Sequence, residues 1–324
     1  QLGTMVTSPT SAENEKIRLD ISADGTLKLT DKQNNKCYER LLSFLDDAEI
    51  GDGWFHCPTV DNRVVSSIGA PCAISVESDG PAQCVFLVEK EMRVPRRVER
   101  NSHRMKHHHR SADTVIMTVK NYITLNVGSE IVKVKTVLDN NALDHRLRLL
   151  NETGIEGDTY FANECFCFVE RKCGIDPASS DWFEADRPER AMSGIVGKRG
   201  ADGCGLAVVC PAGLHECAGY ENGRLTVTLL RSFNTTVQTT AGEPEGYLTG
   251  ELVYDYALVP FGKGEENARL QRIQDCLATG THATFCRAKA DAKPENFSMM
   301  QLTGDDAICF STAKRPLDGA EKTA

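Results

Sequence analysis

The chain has 324 residues and 40% apolar content, with 37 Lys and Arg against 46 Asp and Glu for a formal net charge of −9. That length allows one large domain or two modest ones. The acidic balance offers no basic face for nucleic acid, and no run is long and apolar enough to span a bilayer, so neither nucleic acid nor membrane is an expected partner.

Residues 1–12, within "QLGTMVTSPTSAENE", are polar and irregular and read as a flexible lead-in. "KIRLDISADGTLKLTDKQNNKCY" reads as a hairpin, with Ile17, Leu19 and Ile21 on one face, Asp24-Gly25 at the turn and Leu27 and Leu29 returning. "LLSFLDDAEIGDGWFHCP" leaves the regular pattern and ends in a loop rich in Gly, Asp and aromatic residues. "CAISVES" and "AQCVFLVEKEMRV" are strands, and "PRRVERNSHRMKHHHRSAD" is a polar, basic loop or exposed extension. From 114 to 138 the alternation predicts three strand segments, with a turn at Gly128-Ser129. "CGLAVVC", "RLTVTLLRSF" and "LTGELVYDYALVPF" continue the strands. "GEENARLQRIQDCLA" carries Leu270, Ile273 and Leu277 on one helical stripe, and "DAICFSTAKRPLDGAEKTA" reads as a strand and a polar tail. Each strand has one apolar face, as packed antiparallel sheets require. The expected fold is all-β: a large antiparallel β-sandwich over residues 13–324, with a few short helices.

Thirteen cysteines, an odd number with no secretory segment before them, point to reduced thiols and a cytoplasmic location. Cys84, Cys165, Cys167 and Cys210 lie in apolar runs and read as small buried hydrophobes. "CFC" puts both sulfurs on one face of a strand, but no second pair stands at ligand spacing. His103, His107, His108 and His109 lie among Arg, Lys, Ser and Asn without strand periodicity, and read as a solvated loop. No metal site is assigned.

Two stretches carry the density of polar groups that a site needs. In "GDGWFHCPTVD", Asp52, Trp54, His56 and Asp61 converge beside two glycines. An indole face and carboxylates are a means of gripping a sugar, through apolar burial and charge-assisted hydrogen bonds. An ordinary loop whose aromatics plug the sandwich explains the same residues. In "VKTVLDNNALDHRLRLL" the strand alternation stops at Asp139-Asn140-Asn141. Side chains of Asp139, Asn140, Asn141 and Asp144 are suited to tie down backbone amides at a sheet rim, with Arg146 and Arg148 pairing with them or reaching a neighbouring domain. No dinucleotide fingerprint, P-loop, nucleophile elbow or HExxH zinc motif is present.

Taken in order, the hairpin, "IGDGW", "VKTVLDNNALDHRLRLL", "GLAVVCPAGLHE", "LTVTLLRS" and "DYALVPF" resemble the carboxyl-terminal β-sandwich region of the family 38 glycoside hydrolases, over roughly residues 13 to 320. These are zinc-dependent retaining α-mannosidases, and their bacterial branch includes mannosylglycerate hydrolases. The resemblance implies a galactose mutarotase-like supersandwich. It places the nucleophilic aspartate and the zinc ligands in an upstream region, so this portion would hold no catalytic residue and no cofactor of its own. Its expected partners are the upstream catalytic and helical-bundle domains of the same polypeptide, and a mannose-containing glycoside or oligosaccharide. A homo-oligomer of the whole enzyme is a further expectation. Gly51, Asp52 and Pro58 match the family pattern, while Gly53, Trp54, His56 and Cys57 depart from it. Asp52, Trp54 and His56 are the substrate-cleft candidates. Asp139, Asn140, Asp144, His145 and Arg146 match closely and are read as a structural polar network. The alternatives are a stand-alone carbohydrate-binding module, a sandwich for protein interaction, and a sugar mutarotase or epimerase. The last needs an opposed His and Glu, which the adjacent His215 and Glu216 are poorly placed to supply.

Overall fold

A period of two in apolar residues builds nearly everything in this molecule. The computed structural model describes residues 4–51, 53–54, 56–100, 108–183, 186–235, 244–264 and 267–280. Its strands pair antiparallel into a nine-stranded, a six-stranded and a five-stranded sheet, plus a two-stranded ribbon. In the nine-stranded sheet, Gln83–Pro95, Thr114–Asn126, Val132–Asn140 and Gly250–Phe261 lie side by side near its long-stranded end. Cys72–Asp79 forms the edge next to Gln83–Pro95. The six-stranded sheet runs Arg190–Ala191, Glu216–Gly219, Arg224–Ser232, His145–Glu152, Ser43–Ala48, Val65–Ser66.

Alternation decides which side chains meet between the sheets. Met117, Val119, Ile123 and Leu125 of the nine-stranded sheet point inward, and so do Phe44, Leu147, Leu149 and Val227 of the six-stranded one. They join Ile17, Leu19, Leu27 and Leu29 of the five-stranded sheet in one continuous core. A second cluster, with Phe161, Val209, Val259 and Phe261, receives Leu270 of the helix Asn267–Thr279. That helix is the one α-helix among the described residues, and Ile273 and Leu277 pack partly buried beside Leu270. The fold is therefore all-β and sandwich-like, as the alternation indicates. Among the described residues no helix is long and apolar enough to cross a membrane.

Several local expectations change. Val6–Ser8 and Ser11–Glu13 are strands of the five-stranded sheet, with Met5 and Ala12 buried, where the sequence suggested a flexible lead-in. Segment 114–138 holds two long strands and not three; Asn121, within the first of them, is buried and accepts a 2.7 Å hydrogen bond from Thr136. Ser43–Ala48, read as irregular, is a strand between His145–Glu152 and Val65–Ser66. Cys165 and Cys167 are exposed in the turn after Thr159–Asn163, whereas Cys84 and Cys210 are buried. His108 and His109 belong to a strand paired with Val98–Arg100; His103 and His107 lie outside the described residues. So does "DAICFSTAKRPLDGAEKTA".

Candidate functional site

Asp46 and Asp47 are neighbours on one strand, so their side chains leave on opposite faces of the six-stranded sheet. His145 and Arg146, on the adjacent strand, divide the same way. The result is two buried charge clusters back to back.

The inner cluster centres on Asp46, which has no exposure. Its Oδ2 lies 2.5 Å from His145 Nδ1, and its Oδ1 accepts from the Arg110 guanidinium. Nε2 of His145 stands 3.0 Å from Asn140 Oδ1, an oxygen that also accepts from Ala142 N. Both ring nitrogens thus face acceptor oxygens. Asn140 Nδ2 donates to Tyr247 O and Leu248 O. Asp144, at φ 53, accepts from Arg100 at 2.8 Å and from Val98 N at 3.4 Å.

The outer cluster is larger. Arg146 sits opposite Asp47 in the register and grips it with two nitrogens at 3.0 and 2.8 Å. Arg148 reaches the same carboxylate at 3.1 Å. Both arginines also face Glu189, at 2.8 and 3.5 Å. Burial opposes ionisation of Asp47, but the hydrogen bonds and charge of Arg146, with the charge of Arg148, hold its carboxyl below the usual range. Glu189 follows the same pattern: burial is outweighed by Arg146 and Arg148. Glu49 is the hub of the rim. Its carboxylate accepts from His56 Nδ1 at 2.9 Å, Arg231 Nε at 2.8 Å, Cys57 N at 3.1 Å and Gly51 N at 3.3 Å. Burial again works against the charge, and His56 and Arg231 overcome it.

Those bonds tie Gly51, His56 and Cys57 to one carboxylate. Gly51, at φ 98, is required there: a Cβ would stand 2.5 Å from Thr235 O. His56 points into the sheet and is buried, while Trp54, two residues earlier, is 77% exposed. Trp54 therefore does not plug the sandwich core. Asp52 lies outside the described residues. A second loop, following Phe168–Lys172, comes alongside: Arg187 donates to His56 O at 2.9 Å, and Glu189 enters the outer cluster. This loop exposes Ile175, Trp182 and Phe183. Val60 and Val64 are exposed on the first. One rim of the six-stranded sheet thus carries two loops with apolar tips and charged roots.

Of the residues singled out from sequence, Asn140, Asp144, His145 and Arg146 are buried around the end of one strand pair. Asp139 is not with them. It is exposed on the outer face of the nine-stranded sheet, paired in register with Thr118 and Glu251. Trp54 and His56 share a loop but face opposite ways. Sequence reasoning missed Asp46, Asp47, Glu49, Arg110, Glu189 and Arg231. The available signal was three acids within four positions of an otherwise apolar segment, "FLDDAEI". Among the described residues no group of three or more His, Cys, Asp or Glu side chains is arranged to hold a metal ion, so the clusters do not fit zinc. A groove of about 1020 Å³ beside the helix Asn267–Thr279 shares no residue with them. Its amides are engaged in holding the helix: Asn163 donates to Gln274, which donates to Ser193 O and Cys210 O.

The architecture is that of a sandwich region within larger glycosidases. It matches the crystal structure of an alpha-mannosidase from Enterococcus faecalis V583 with a TM-score of 0.81 at 20% identity, over 89% of this chain and 33% of that one. A structure of a protein in the glycosyl hydrolase family 38 from Enterococcus faecalis matches with a TM-score of 0.79, at 20% identity, over 90% of this chain and 35% of that one. In sequence, 265 residues are 24% identical to the "Putative mannosylglycerate hydrolase" of Halalkalibacterium halodurans, covering 78% of this chain and 29% of that protein. No family model matches the chain. The chain spans about a third of the length of these proteins, and it is a β-sandwich domain related to part of such multidomain glycosidases.

Proposed function

We propose that this chain is the non-catalytic sandwich portion of a zinc-dependent retaining α-mannosidase, where it supports the catalytic domain and lines one wall of the substrate cleft. The observation that carries this reading is the 265-residue match to the mannosylglycerate hydrolase relative, with which the fold agrees. In this reading the nucleophile and the zinc belong to the remainder of the enzyme, which acts in the cytoplasm. The rim with the two apolar loops is the part of the domain best suited to face the cleft. Trp54 offers a flat apolar face, while Glu49 and His56 fix the backbone beneath it.

The test has two arms. The chain alone, given an activated aryl α-mannoside and zinc, is expected to show no turnover above buffer; turnover that survives removal of host glycosidases overturns the proposal. In the whole enzyme, Trp54→Ala is expected to raise KM or lower kcat with the melting midpoint unchanged. Normal kinetics there would remove Trp54 from the cleft. The exposure of Trp54 and Trp182, at 77% and 56%, favours a second reading, a module that binds sugar by itself. Calorimetric titration of the chain with methyl α-mannoside separates the two, since only the module is expected to bind.

A further inference from the structure

Lys90 has no part in the charge clusters, yet it is fully buried, on the inner face of Gln83–Pro95. Buried lysines normally have a carboxylate partner or several acceptors. Among the described residues Lys90 Nζ has one long hydrogen bond, 3.4 Å to Leu42 O. Asp24 is near enough to be felt, but its Oδ1 is engaged by Thr26 N and Thr26 Oγ1 at 2.9 and 2.7 Å. Burial holds the Lys90 amine below the ordinary lysine range, which favours the neutral, nucleophilic form.

Directly across the ladder stands Cys72. Antiparallel partners project to the same face, so thiol and amine share one space. The turn at Gly25 backs onto both of them: a Cβ there would lie 2.6 Å from Cys72 Sγ and 2.6 Å from Lys90 Cε. Those two atoms are therefore separated by no more than twice that distance. Cys72 is partly exposed, so a small oxidant can reach the sulfur from the sheet edge, while the amine lies on the closed side.

We propose that Cys72 and Lys90 are a modification site, at which a peroxide drives formation of a covalent cross-link. In the first step the peroxide O–O bond breaks and an S–O bond forms; sulfur loses two electrons, and the products are the sulfenic acid and water. In the second step the Lys90 lone pair attacks sulfur. The S–N bond forms, the S–O bond breaks, and the hydroxyl leaves as water with a proton from the nitrogen. The pair ends lighter by two hydrogen atoms. Proximity favours the amine over external thiols. Burial also pushes the Cys72 thiol up, so the first step is slow and calls for sustained exposure to peroxide. The link would staple Cys72–Asp79, an edge strand, to its neighbour.

The experiment is prolonged treatment of the full chain with hydrogen peroxide, followed by digestion and mass spectrometry. The expected product is one linked peptide pair joining Cys72 to Lys90, two hydrogens lighter than the sum of its parts and released by dithiothreitol. Cys72→Ser should abolish it. Lys90→Met, with Lys90→Arg as the second variant, should abolish it and leave a dimedone-reactive sulfenic acid at Cys72. Two results overturn the proposal: equal dimedone labelling of Cys72 in wild type and Lys90 variants with no linked peptide, or an unmodified Cys72 after the exposed Cys165 and Cys167 have oxidised. Should both Lys90 variants fail to fold by circular dichroism, the wild-type peptide map decides by itself.

Discussion

The two charge clusters share one strand pair but differ in what surrounds them. The inner one is closed: Asp46 and His145 have no exposed side-chain surface, and Arg110 has 2%. Three segments distant in sequence meet there, so the cluster fixes the path of the chain. The outer one runs from the fully buried Glu49 to Arg231, whose side chain is 16% exposed, and ends beneath loops with apolar tips. It serves as the footing of the rim. The pleat that separates two adjacent aspartates thus gives one sheet a structural face and a face suited to function.

The sharpest way to break this contrast is at Asp46. Asp46→Ala leaves Arg110 buried without its counter-charge and His145 Nδ1 without its partner, and the expected loss is about 3–5 kcal/mol of unfolding free energy. Urea titration measures it. A loss below about 1 kcal/mol, the worth of an exposed pair, would mean that the inner cluster is as dispensable as a surface one.

Asp144→Ala comes next. It removes the acceptor of Arg100 and Val98 N and puts a residue without a local hydrogen-bonding group at positive φ. About 1–3 kcal/mol is expected. Asp139→Ala, five residues away and exposed, is the internal control and should leave the urea midpoint unmoved. Equal effects from the two would place the whole block in one network, against the geometry.

Acid distinguishes the outer cluster. Asp47, Glu49 and Glu189 have folded-state carboxyls held below their unfolded values. Their contribution is fully present above the unfolded values near 4 and is lost as pH falls through the folded ones. Stability should therefore rise with pH through the acid range that lies between the lowered folded values and the unfolded ones, because the unfolded chain binds more protons there. Glu49→Gln should flatten that slope. An unchanged slope, measured by chemical denaturation at several pH values, would count against the outer cluster as a source of acid sensitivity.

The smallest effect is expected at Trp54. Removing an exposed indole should change stability by less than about 0.5 kcal/mol. A collapse of the melting midpoint would make the loop part of the core after all.

Much of the fold is legible in the chain because burial on a sheet writes a period of two. The 17–31 hairpin, the strands from 72 to 95 and the helix stripe of Leu270, Ile273 and Leu277 all follow from it. The same rule misleads where polar groups are buried. Asp46 and Asp47 break the apolar alternation of Ser43–Ala48, so that strand reads as irregular, while Thr114–Asn126 runs unbroken with the polar Asn121 buried inside it. Arg110 lay in a stretch that reads as solvated, yet it is the counter-charge of Asp46.

The sequence alone determined the all-β class, the alternation of most strands and the concentration of polar residues at the end of Val132–Asn140. Those are local consequences of side-chain hydrophobicity and of the turn preferences of Asp, Asn and Gly. Only the tertiary structure decided which acid meets which base. Asp46 finds His145 ninety-nine positions away, and Glu49 finds Arg231 at a separation of 182. A charge can be buried when its partner arrives from elsewhere in the chain, and strand register, set by the apolar faces, is what brings that partner into place.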